Sequence, residues 1–124
     1  DKAYQSTRYN AMQQVHFQKG ERLQYTSNDG WMEFEIKVGV ADVYALMLKY
    51  HNASKETREA TIELITMDDV VLKPAEKVRL EPTRDGKWNY IDTDTGTMIN
   101  AGTYRVRVTS IDAKDIYIDA VEVK

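Results

Sequence analysis

From Trp31 to Val38 the chain alternates without a break: Met32, Phe34, Ile36 and Val38 fall on one side, Glu33, Glu35 and Lys37 on the other. A period of two marks a strand with one face against a core and one in water. Tyr104 to Thr109 repeats the pattern, entered through Asn100-Ala101-Gly102, which carries turn chemistry. Trp31 shares its phase with Glu33, which places it at a rim rather than in the centre.

Other stretches are richer in apolar residues. Val43 to Tyr50 puts Tyr44, Leu46, Leu48 and Tyr50 on one face, while Val43, Ala45 and Met47 on the other are hardly polar. That composition reads as one central strand with something lying over its outer side. Ala60 to Met67, Val70 to Leu72 and Lys77 to Glu81 are further strand candidates, the last stopping at Pro82. Ile116 to Val123 closes the chain; its alternation slips near Ala120, so a bulge or bend is expected there. Asp1 to Gln14 is polar and aperiodic, and Gln14 to Phe17 can add an edge strand. Nowhere do apolar residues recur at helical spacing over three turns, and Ala53 to Ala60 is expected to be a solvated loop. The expected architecture is all-β, a β-sandwich or jelly roll of short strands, within one 124-residue module.

Composition removes several kinds of chemistry. There is no cysteine, hence no thiol catalysis and no Cys-type zinc site. The net charge is −3 and no Lys/Arg run exceeds two, so the chain carries no footprint for nucleic acid. No stretch is apolar enough to span a bilayer. His16 and His51 stand outside any recognisable triad pattern and are expected to be surface or rim residues. Asp68-Asp69 and Asp92 with Asp94 are the obvious carboxylate pairs, and a turn explains them better than acid/base catalysis. The aromatic inventory says more: eight tyrosines and two tryptophans stand against two phenylalanines. A sugar ring offers C–H groups on its faces and hydroxyls round its rim, and Tyr and Trp tolerate the partial exposure that such a ligand requires. Strand phase assigns Tyr44, Tyr50 and Tyr104 to the core; Tyr25, Trp88, Tyr90 and Tyr117 stay open.

The succession of segments carries a resemblance. Leu23 to Val38, containing Gly30-Trp31, is followed by Val43 to Asn52, then Gly86-Lys87-Trp88, Ile99 to Val106 with Ala101-Gly102-Thr103-Tyr104, and Ile118 to Val123. This order resembles the carbohydrate-binding modules of families six and thirty-five and the related galactose-binding-like domains appended to bacterial glycoside hydrolases such as the family-two β-galactosidases. The resemblance implies a jelly-roll sandwich of two antiparallel sheets, no catalysis in the module, and an oligosaccharide or polysaccharide as ligand. It also implies the catalytic domain of the same parent chain as a partner, and an extracellular or periplasmic location. By the resemblance, Tyr25 and Trp88 match the sugar-stacking aromatics and Tyr117 stands where an Asn is usual, as a rim contact. Asn52 and Asp92 are further candidates as hydroxyl partners. Similar modules often hold a structural calcium ion, and Asp119 matches one of its ligands. The alternative is a purely structural module that packs against its parent enzyme and binds no sugar.

Overall fold

The computed structural model describes the backbone at 5–10, 12–16 and 21–25, and backbone with side chains at 28, 30–84, 87–93 and 96–124. Twelve strands make up the described secondary structure: β1 (Gln5–Asn10), β2 (Met12–His16), β3 (Glu21–Tyr25), β4 (Trp31–Val38), β5 (Asp42–Tyr44), β6 (Leu46–His51), β7 (Arg58–Thr66), β8 (Val71–Leu80), β9 (Asn89–Asp92), β10 (Thr97–Ile99), β11 (Gly102–Ser110) and β12 (Tyr117–Val123). They form two five-stranded antiparallel sheets, ordered β1-β4-β11-β7-β8 and β2-β3-β12-β6-β9, with a two-stranded ribbon of β5 and β10. The chain passes repeatedly between the two large sheets, giving the expected all-β sandwich.

The inward phase of β4 is the one that its alternation requires: Met32, Phe34, Ile36 and Val38 are all buried. They meet Val106 and Val108 of β11 and Ile62 and Leu64 of β7 on their own sheet, and Leu48, Tyr50, Ile118 and Val121 from the facing one. Burial of this continuous apolar layer is the main term holding the sandwich closed.

Several expectations change in detail. Val43 to Tyr50 is not one strand. It divides at Ala45, whose N–H and C=O pair with Lys124, so Asp42–Tyr44 joins β10 while Leu46–His51 joins the large sheet. Val70–Leu72 and Lys77–Glu81 fall, all but Val70 and Glu81, in one strand, β8, which runs through Pro74. Proline cannot donate to a ladder, and β8 tolerates it because it is the edge of its sheet. Gln5–Asn10, within the aperiodic N-terminal stretch, forms a strand along β4. The bulge expected near Ala120 is present: the register of β12 against β6 shifts between Ile118 and Ala120.

Glu33 lies on the outward phase of β4 yet is fully buried. Arg107, directly opposite it on β11, places Nε 2.8 Å and an Nη 2.7 Å from its carboxylate, and Arg105 places an Nη at 3.4 Å. The two guanidinium groups cover the carboxylate that alternation alone would send into water. Arg107 also lies 4.6 Å from the Trp31 ring centroid, and Arg105 pairs with Asp69 in the β7–β8 turn. Asp68-Asp69 is a turn, as its composition suggests, with Asp69 left-handed at φ 66°.

Candidate functional site

The site is built where β6 ends, β12 begins and the chain enters β9. At the end of β6, Asn52 is fully buried and its amide is saturated. Nδ2 donates to the carbonyls of Leu80 (2.8 Å) and Glu56 (2.9 Å), while Oδ1 accepts from Ser54 N (2.9 Å) and Ser54 Oγ (2.7 Å). Two donors and two lone pairs are the full capacity of the group. Asn52 is therefore a strut and has nothing left for a sugar hydroxyl, which corrects the role expected for it.

The same strut fixes the segment that leads to Trp88. Thr83 N donates to the Asn52 carbonyl at 2.8 Å, and Asn52 N donates to Thr83 Oγ1 at 3.1 Å. Tyr50 donates its hydroxyl to the Glu81 carbonyl at 3.1 Å and accepts from Asn89 Nδ2 at 3.3 Å. Burial pushes the Tyr50 hydroxyl above its ordinary pKa of 10.0, against the smaller opposing effect of those two bonds. His51 closes the set. It is buried rather than at the surface or rim, with Nδ1 2.6 Å from the Lys87 carbonyl and 2.9 Å from Thr83 Oγ1. A carbonyl only accepts, so Nδ1 carries the proton.

Around this scaffold stand the rings. His51 packs against Trp88 on one side (5.8 Å between centroids) and Tyr117 on the other (5.7 Å). Tyr117 opposes His51 directly in the β12–β6 register. Both Trp88 and Tyr117 are half-buried, each keeping a part in solvent. Lys49 lies on the same outer face: its Nζ is 5.7 Å from the Trp88 ring, 5.8 Å from the Tyr90 ring and 3.0 Å from Asp119 Oδ2.

Of the residues singled out from sequence, the fold brings Trp88 and Tyr117 together through His51, with Asp119 nearby through Lys49. Tyr25 ends β3, the strand that pairs Gln24 with Tyr117; its side chain lies outside the described residues. Asp92 stands further down β9, opposite Met47, with Oδ2 3.1 Å from Lys124 Nζ. Asp94 lies outside the described residues. The side chains of residues 1–27 lie outside the described residues, and the candidate calcium ligand that can be placed is Asp119. Its carboxylate pairs with an ammonium group, and among the described residues no three His, Cys, Asp or Glu side chains cluster to hold a metal ion. His51 and Lys49 carry no local sequence signal: both owe their place to strands that meet only in the folded sheet.

No family model matches the sequence, and no curated protein does. Solved structures do. A carbohydrate binding module from Cellvibrio mixtus lichenase 5A, in complex with cellotriose, matches with TM-score 0.69 over 96% of this chain and 90% of that one, at 12% identity. A family 35 carbohydrate binding module from Clostridium thermocellum matches with TM-score 0.71 over 94% and 89%, at 18% identity. A Podospora anserina β-(1,4)-mannanase that carries such a module matches over the whole of this chain but 26% of its own, with TM-score 0.68 and 13% identity. The chain thus has the β-sandwich fold of carbohydrate-binding modules of the family six and thirty-five type.

Proposed function

We propose that this chain is a non-catalytic carbohydrate-binding module of a secreted glycoside hydrolase, and that it holds a glycan against the aromatic end of the sandwich. The observation that carries this reading is the pair of half-exposed rings, Trp88 and Tyr117, held either side of a buried histidine. A sugar's C–H face stacks on such rings, and its hydroxyls find donors and acceptors at the rim. Lys49 and Asp119 supply those groups where the usual Asn is replaced by Tyr117. By the resemblance of the sequence, Tyr25 is a further stacking aromatic. The module works by linkage: bound to a polymer, it raises the concentration of substrate around its parent enzyme. The resemblance of the sequence points to a β-galactosidase-like parent.

The test is calorimetric titration against galactose-, xylose- and uronate-containing oligosaccharides. Saturable binding is expected, and Trp88→Ala is expected to abolish it while leaving the fold intact. Binding that survives in Trp88→Ala overturns the stacking role.

A second reading has its own support. Val40, Val43 and Met98 are more than half exposed beside and on the β5–β10 ribbon, at the end of the sandwich away from the aromatic rings. Such a patch suits a module that only packs against its catalytic neighbour. Silence of the native chain across the whole sugar panel would favour this reading.

A further inference from the structure

The aromatic end does not stop at Trp88. Residues directly opposed in neighbouring antiparallel strands share a face. Tyr90 opposes Lys49, Asp92 opposes Met47, and Met47 opposes Glu122, so one outer face runs from the ring pair down β9, β6 and β12. The Lys49 ammonium bridges the two ends of this run, lying within 6 Å of both the Trp88 and Tyr90 rings. Tyr90 is 49% exposed. Beyond it opens a shallow depression of about 520 Å³ lined by Met47, Tyr90, Glu122, Val123 and Lys124.

The lining has a definite chemistry. Met47 and Tyr90 give an apolar floor. Glu122 offers a carboxylate and Lys124 an ammonium, which meets Asp92, outside the lining, at 3.1 Å. Apolar floor and polar rim match a sugar's apolar faces and hydroxyl edges in the same way as the ring pair does. From Trp88 through β9 to Asp92, four steps at a rise of ~3.3 Å each carry the surface ~13 Å. That is longer than any single pyranose ring.

We infer that Tyr90 and the depression beyond it are a second set of sugar subsites, continuous with the Trp88–Tyr117 site, so that the module takes the interior of a glycan chain rather than a lone terminal sugar. The inference rests on the glycan-binding reading of Trp88 and adds a direction and a length to the ligand.

The experiment compares the native chain, Tyr90→Ala and Trp88→Ala. Each is titrated with mono-, di-, tetra- and hexasaccharides of β-linked galactose, xylose and glucose. Tyr90 is exposed, so its variant should keep the native melting curve. The expected result is an affinity that climbs from disaccharide to tetrasaccharide. Tyr90→Ala removes the climb, weakening the tetrasaccharide by about tenfold and leaving the disaccharide untouched. Amide shifts of Met47, Glu122 and Val123 should move with the tetrasaccharide alone. If affinity does not depend on length, or Tyr90→Ala binds the hexasaccharide as the native chain does while Trp88→Ala does not, the groove is overturned and the Trp88 site stands. If Trp88→Ala binds and Tyr90→Ala does not, sugar binds at Tyr90 alone, and the Trp88 site falls together with the continuity inferred from it. Silence of the native chain at every length overturns both.

Discussion

Glu33 shows how much one side chain can ask of its neighbours. A carboxylate on the polar phase of a strand costs little in water and several kcal/mol once enclosed, unless charge and hydrogen bonds enclose it too. Arg105 and Arg107 do so, from a strand far along the chain. Glu33→Gln keeps the shape and takes the shared carboxylate away from both guanidinium groups, leaving Arg105 its pair with Asp69. A loss of about 3–5 kcal/mol is expected in urea unfolding with an unchanged m-value; a midpoint equal to that of the native chain would mean that the network is neutral. Tyr50 sets a second residue-scale condition. Its folded pKa lies above 10.0, so the unfolded chain releases this proton first as pH rises. The stability linked to it is complete below pH 10.0 and is lost as pH climbs through the raised value. Tyr50→Phe should be less stable at neutral pH, since it loses the bonds to Glu81 and Asn89, and should fall less steeply on the alkaline side. Parallel slopes for the two proteins in urea titrations would count against this account.

At the scale of elements, the segment between β8 and β9 decides whether the rings are presented at all. It has no strand pairing of its own across residues 81–84; Asn52, Thr83, Tyr50 and His51 tie it to the end of β6. Asn52→Ala leaves the Leu80 and Glu56 carbonyls without that donor, which costs about 1–3 kcal/mol. It should also weaken sugar binding through Trp88, although Asn52 touches no ligand. Affinity unchanged in a destabilised Asn52→Ala would separate the strut from the site. The elements also show where sequence suffices. In β4 and β11 alternation names the buried face because a core covers one side. In β12 the slip of that alternation announces the bulge. The break at Ala45 is silent, because apolar residues continue through it and only the change of partner, from β10 to β12, divides the strand. The length of β8 is equally silent: the sequence offers two pieces, Val70–Leu72 and Lys77–Glu81, and Pro74 between them is tolerated because β8 is an edge strand among the described residues. Asn52 misleads for a related reason. A loop Asn two residues before a Ser signals a turn as readily as a ligand contact, and only its burial decides between them.

Over the whole molecule, the two five-stranded sheets do different work. The outer face of β4 and β11 is occupied by its own charges, with Trp31 beneath Arg107 and Glu33 sealed between arginines. The outer face of β6, β9 and β12 displays rings and a depression instead. Alternation describes the outer face of β4 and β11 as polar and that of Val43, Ala45 and Met47 as hardly polar; which of them is open to a ligand depends on contacts across strands that the order of residues does not display. This is why the class of fold was legible from the alternating ribbons, while the site was legible only as a set of aromatic candidates awaiting a scaffold.

The chain's two indoles therefore sit in unlike places: one under a guanidinium on the closed sheet, the other against an imidazole on the open one. Light emitted by the first should be indifferent to what arrives at the far sheet, while the second is poised to change colour or brightness when its solvent is displaced. For the proposed site this is an optical gauge of occupancy, with an internal standard built in.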